Sequence, residues 1–146
     1  MKLVIGSDHG GYALKEVVKA YLLEQGHAVS DRGTDDGETS VDYPDYGRAV
    51  AADVAAGKYA CGIVICGTGI GISLAANKVH GIRAALCTDP YMARMARMHN
   101  DANILALGGR VVGPGLALAI VAAFLDSEFA GGRHARRVDK IMAIES

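Results

Sequence analysis

Cys66 closes an apolar run and is followed at once by a glycine-rich turn, Gly62-Ile-Val-Ile-Cys66-Gly67-Thr68-Gly69-Ile70-Gly71-Ile-Ser73. Residues Ile63–Ile65 are β-branched and flanked by glycines, which reads as a short buried strand. Ile70–Lys78 then reads as a helix start. A strand, a glycine turn and a helix N-terminus gather several backbone N–H groups in one concavity, backed by the positive end of the helix dipole. Such a concavity suits an anion. A thiol at its rim has a lowered pKa and is expected to stay accessible between the glycines, as base or nucleophile. One short segment thus offers both a proton acceptor and a cradle for negative charge.

Other residues of chemical interest lie far from this turn in sequence. Asp8 and His9 stand beside Gly10-Gly11 at the end of the first apolar run, where capping of the next helix is a competing role. Tyr43 precedes Pro44, and His99-Asn100 ends a helical pattern, where both residues could simply satisfy backbone groups. A basic cluster, Gly131-Gly132-Arg133-His134-Ala-Arg136-Arg137, opens the last helical stretch. Arg133 and Arg137 are four residues apart and so share one helix face. Arginine forks grip phosphate oxygens in pairs, and positive charge at a helix start opposes the dipole. A bound anion would offset that opposition, so the cluster points to phosphate. Cys61 and Cys87 read as inert buried thiols, and His27 and His80 as surface histidines.

Several function classes are disfavoured. A dinucleotide fingerprint needs a third glycine where Ile72 stands; Gly71 comes one place early, and Asp89 is explained as the cap before Pro90. No Gly-Lys-Ser/Thr follows the turn, as a nucleotide P-loop requires, and no arginine lies within it, as a cysteine phosphatase requires. His, Cys and Asp show no metal-ligand spacing, so no metal is expected. The chain has 146 residues, the size of one domain, and a net charge of −1, which gives no support for nucleic acid or membrane-surface binding. No apolar stretch reaches membrane-spanning length, and the glycine-broken start Met1–Gly6 suits a first strand better than a signal peptide. Three cysteines without C-x-x-C spacing indicate neither a disulfide framework nor structural zinc, and a reducing cytoplasm is the expected location.

The elements that must position these groups alternate regularly. Strands are expected at Leu3–Gly6, Ala28–Asp31, Gly62–Cys66, Ile82–Cys87 and Asn103–Leu107. Helices are expected at Tyr12–Gln25, Pro44 to about Ala56, from Gly69, from Tyr91 to near His99, at Gly115–Asp126 and at His134–Ile144, with Arg32–Asp42 the longest loop. This alternation implies an α/β fold, a parallel sheet covered by helices on both faces. Ligands in such sheets bind beyond the carboxyl ends of the strands. Ser7–Gly10, Cys66–Gly69, Thr88-Asp89 and Gly108–Arg110 should therefore line one edge.

These motifs, in this order, resemble the sugar-phosphate isomerase family of type B ribose-5-phosphate isomerases, which also contains galactose-6-phosphate and allose-6-phosphate isomerases. The likeness runs through Gly6-Ser-Asp8-His9-Gly10, Asp42-Tyr43-Pro44, Cys66–Ser73, Ala75–Lys78, Gly81–Ala84, His99-Asn100-Asp101 and Gly132-Arg133-His134-x-x-Arg137. It implies a three-layer α/β/α sandwich, Rossmann- or flavodoxin-like, with a five-stranded parallel sheet, and a single domain over residues 1–146. It implies a sugar-phosphate substrate in pentose phosphate metabolism, no cofactor, and a homodimer, alone or paired into a tetramer, with active sites shared between subunits. By the same resemblance Cys66 would be the base, and Gly67, Thr68, Gly69, Ile70 and Gly71 would turn N–H groups to an enediolate oxygen. His99, with Thr68 nearby, would assist ring opening. Asp8 and Tyr43 would hold sugar hydroxyls, with Asn100 also in the substrate site. His9, Arg110, Arg133 and Arg137 would surround the phosphate, assisted by His134.

Overall fold

A computed structural model describes residues 1–145. Five strands, β1 (Lys2–Ser7), β2 (Ala28–Asp31), β3 (Cys61–Cys66), β4 (Ala84–Leu86) and β5 (Ile104–Gly108), form one sheet. All pairings are parallel, in the order β2-β1-β3-β5-β4. Six α-helices connect and follow them: α1 (Tyr12–Glu24), α2 (Tyr43–Ala55), α3 (Ile70–Asn77), α4 (Pro90–Met98), α5 (Pro114–Leu125) and α6 (Arg133–Met142).

Both faces of the sheet are covered, which is why its central strands are apolar at nearly every position. Leu3, Ile5, Ile63, Ile65, Leu105 and Leu107 point to one side, where α1, α4 and α5 pack. Val4, Val64, Cys66, Ile104 and Ala106 point to the other, against α2 and α3. Chain direction across the sheet reverses between β1 and β3, so the crevice at their carboxyl ends is the switch point. The order also departs from the flavodoxin sequence of strands, because β4 occupies the edge and β5 the place beside β3.

Strand β4 is shorter than the run Ile82–Cys87 suggests. Ile82 donates its N–H to Val79, and the Arg83 N–H goes to the Asn103 side chain, so both residues belong to the preceding turn. The Asn77 side chain then bonds both the N–H (2.7 Å) and the C=O (3.0 Å) of Ala84, blunting the free edge. The last helix also ends early, at Met142, and passes into a 3₁₀ turn, Ala143–Glu145. The Glu145 carboxylate accepts the Gly81 N–H at 3.0 and 3.1 Å, tying this end to the start of β4.

Candidate active site

Three loops at the carboxyl edge of the sheet are stitched together backbone to backbone. Asp8 donates its N–H to Ile65, Gly109 to Cys66 and Arg110 to Gly67. Register places Ser7 beside Ile65 and Cys66 beside Gly108, so the ends of β1, β3 and β5 are level. Three of the four segments expected at one edge, Ser7–Gly10, Cys66–Gly69 and Gly108–Arg110, are thus brought together.

The turn after β3 opens α3 through Gly69, whose φ is +80°. A Cβ there would lie 2.6 Å from Leu86 Cδ1 and 2.8 Å from the Leu107 carbonyl carbon, so conformation and space both require glycine. The Gly69 N–H donates to Cys66 Sγ at 3.2 Å, and the Ile70 N–H donates to Thr68 Oγ1 at 3.2 Å. These two amides are engaged within the turn itself. The N–H groups of Gly67, Thr68 and Gly71 have no partner among the described residues.

Cys66 is less accessible than its glycine neighbours suggest. Its side chain is 4% exposed and faces the apolar layer of α2 and α3, because the pleat sends it to the same side as Val64. Solvent reaches the turn above it, where Gly67 is half-buried and Thr68 exposed. Cys61 and Cys87 are buried thiols, and burial pushes both up to about 11, in keeping with inert sulfurs.

Asp8 performs the capping role as well as facing the edge. Its buried carboxylate accepts the Gly11 N–H at 3.0 Å. His9 Nδ1 accepts the Val41 N–H at 3.1 Å, so a neutral His9 carries its proton on Nε2. The exposed Arg110 guanidinium lies over Gly67 and Gly10, and no carboxylate pairs with it among the described residues. Tyr43, the first residue of α2, lays its ring against Gly71. A Cβ at Gly71 would fall 2.9 Å from the Tyr43 hydroxyl and nearer still to the ring carbons.

The remaining candidates form a second group at the other end of the sheet. Helix α4 starts after the carboxyl end of β4 and runs back, so its C-cap, His99, lies near the start of β5. Arg83 at the amino end of β4 holds the Asp101 carbonyl and carboxylate, which fixes this placement. The connection leading into α6 is tied there by the Ala130 N–H to the Met98 carbonyl. The His99 and His134 rings stack, with centroids 4.0 Å apart and planes 9° from parallel. Asn100 is exposed beside them, and Arg133 and Arg137 are exposed without a carboxylate partner among the described residues. Burial, then His99, Arg133 and Arg137, hold His134 below the ordinary imidazole value. Strand β5, with 5 residues between these ends, spans about 16 Å. One small sugar phosphate cannot touch both groups within a single chain.

One structural hub escaped the sequence reading. Lys15 is 1% exposed, and its ammonium bonds both Asp31 oxygens (2.7 and 2.8 Å) and the Thr34 carbonyl (2.8 Å). Burial pushes the Asp31 carboxyl up, but hydrogen bonds from Lys15, Lys19 and the Gly33 N–H outweigh it and hold Asp31 below the usual range. With the Ser7 N–H to Gly33 carbonyl bond (2.7 Å), this hub anchors the start of the 32–42 loop; His9 anchors its end. The available signal was a lysine on the same helix face as Val18 and Leu22.

A model of the ribose/galactose isomerase family matches residues 3–141. Ribose-5-phosphate isomerase B of Escherichia coli (strain K12) is 52% identical over 144 residues, covering 99% of this chain and 96% of that protein. The solved ribose-5-phosphate isomerase B of Clostridium thermocellum is 63% identical with a TM-score of 0.97, covering 99% of this chain and 97% of the other. That of Mycoplasma genitalium, solved with bound ribulose-5-phosphate, is 41% identical with a TM-score of 0.95, covering 99% and 95%.

Proposed function

The chain belongs to the ribose/galactose isomerase family and is an aldose–ketose isomerase, and on that premise we propose that it interconverts ribose 5-phosphate and ribulose 5-phosphate with Cys66 as the base. The observation that carries this reading is the Cys66 sulfur on the Gly69 amide, beneath a turn with three N–H groups and an Arg110 guanidinium that have no partner among the described residues. An aldose–ketose isomerase must remove a weakly acidic proton beside a carbonyl and stabilise the enediolate. Cys66 as thiolate takes the proton from C2 and returns it to C1, while a second proton passes from O2 to O1. The thiolate, not the thiol, is the form that takes the proton, and the Gly69 N–H meets that sulfur at 3.2 Å. The amides of Gly67, Thr68 and Gly71 meet the enediolate oxygen, where losing one such donor costs about 10²–10³-fold. Asp8 and Tyr43 hold sugar hydroxyls, and the His9 Nε2–H and Arg110 reach toward the phosphate.

The second group completes the site from a neighbouring copy. His99 assists ring opening with Thr68, Asn100 contacts substrate, and Arg133 and Arg137 grip the phosphate. The separation of the two groups supports a homodimer, alone or paired into a tetramer, in which each active site draws on both subunits. Residues 1–146 act as one isomerase domain, in the cytoplasm and without a cofactor. Exchange of solvent deuterium into a panel of five- and six-carbon sugars, phosphorylated and free, tests it. Ribose 5-phosphate should give the highest kcat/KM. Faster exchange into a six-carbon phosphosugar would reassign the substrate, and tight binding without exchange would make the protein a sensor.

A further inference from the structure

His134 sits among arginines, which suggests another phosphate contact, yet its ring is turned face to face with His99. We propose that His134 is a positioning residue for His99, holding the plane of that imidazole for ring opening rather than gripping substrate itself. The inference rests on the reading of His99 given above. Neither ring nitrogen of His99 or His134 has a hydrogen-bond partner among the described residues, so no bond sets the His99 ring angle. His99 is the C-cap of α4 (φ −105°, ψ −35°), just past the last helical residue. The stacked ring, 4.0 Å away and within 9° of parallel, is the element that restricts it.

The charges around the pair favour the same division of labour. Arg133 and Arg137 flank His134 from its own helix, and both oppose a further positive charge beside them. Asp101, two residues beyond His99, is already paired with Arg83 (3.4 Å) and Arg97 (3.0 Å) and offers no compensating carboxylate. Burial first, then these charges, hold the His134 imidazole below its ordinary value, which suits a flat support. His99 keeps both ring nitrogens free, one to donate a proton to the ring oxygen of the furanose and the other to exchange with solvent. Opening the ring breaks the C1–O4 bond: O4 receives the proton, and the C1 hydroxyl gives one up to form the aldehyde. The chain neither gains nor loses protons overall.

The test compares two substrates that share the phosphate but differ in the need for ring opening. Ribose 5-phosphate is largely a furanose; 4-deoxyribose 5-phosphate lacks O4 and stays an open aldehyde. His134→Ala should lower kcat/KM for ribose 5-phosphate roughly tenfold or more, since a catalytic group misplaced by an ångström loses up to about 10²-fold. The loss on the deoxy sugar should be several times smaller. His134→Phe restores a flat ring without a titrating nitrogen and should recover most of the ribose 5-phosphate loss, with a pH profile like that of the parent. Equal losses on both substrates in His134→Ala would mean a phosphate contact and would overturn the proposal. So would a Phe variant as poor as the Ala variant, which would show that an imidazole nitrogen is needed. If His99→Ala itself shows no preference between the two sugars, it is the reading of His99 that fails; if the parent turns over neither sugar, it is the isomerase reading.

Discussion

Two crippled variants should repair each other when mixed. Cys66 and Arg137 lie at opposite ends of the sheet, separated by a strand about 16 Å long, and belong to one site only if a second copy supplies the arginine. Cys66→Ala removes the proposed base and should cost about 10²–10⁴-fold. Arg137→Ala removes a charged hydrogen bond worth about 1.5–3 kcal/mol, or roughly 10–150-fold. When the two variants exchange subunits at random, half the dimers are mixed. Each mixed dimer has one site with both defects and one with neither, so about a quarter of all sites should be intact and about 25% of parental activity should return. The assay is ribulose 5-phosphate formation after subunit exchange, with exchange verified by native mass spectrometry on tagged chains. The converse mixture, parent with the Cys66→Ala/Arg137→Ala double variant, should retain about a quarter of parental activity instead of the half expected from dilution. Verified exchange with no recovery would place both residues in sites built from one chain and refute the shared-site reasoning.

Gly71→Ala separates stability from function. The added methyl displaces the Tyr43 ring, which is 41% exposed and free to swing outward. A helix-propensity gain of at most about 1 kcal/mol offsets the lost packing, so thermal unfolding should move by only a few degrees while kcat/KM falls roughly tenfold, the value of a lost substrate hydrogen bond. Unchanged activity would remove Tyr43 from the site. Asp31→Asn leaves the buried Lys15 short of its counter-charge. Breaking such a pair costs about 3–5 kcal/mol; Asp31 is partly exposed and Lys15 keeps the Thr34 carbonyl, so about 2 kcal/mol and a melting point lower by roughly 4–8 °C are expected. The native Asp31 carboxyl is held below its unfolded value. Its contribution is therefore full above the unfolded carboxylate pKa of about 3.9 and is lost as pH falls through the lower native value. Denaturant titrations should show the gap between parent and variant closing only below about pH 4; a gap that widens in acid would contradict the pairing.

Much of this architecture was legible because local signals agreed. The β-branched runs at Leu3–Gly6 and Gly62–Cys66, and the Asp89-Pro90 cap, which accepts the Met92 N–H at 2.8 Å, placed their elements within a residue or two. Ile82 and Arg83 were misassigned because apolar content cannot reveal that Val79 and Asn103 claim their amides. The glycine turn was readable as an N–H cradle. That Cys66 Sγ and Thr68 Oγ1 take two of its amides depends on side-chain direction, which period-2 patterning conveys only when the strand's register is known. Lys15 was passed over because a lysine on a helix ordinarily faces water. The stacking of His99 on His134 joins two helices distant in sequence, and no local pattern carries it.

The most direct measurement is solvent deuterium incorporation into ribose 5-phosphate by Cys66→Ala, with phosphosugar binding followed in parallel. Deuterium wash-in should fall by at least about 10²-fold while binding survives, because the arginines and amides are untouched. Wash-in at near-parental rate would show that another group moves the proton.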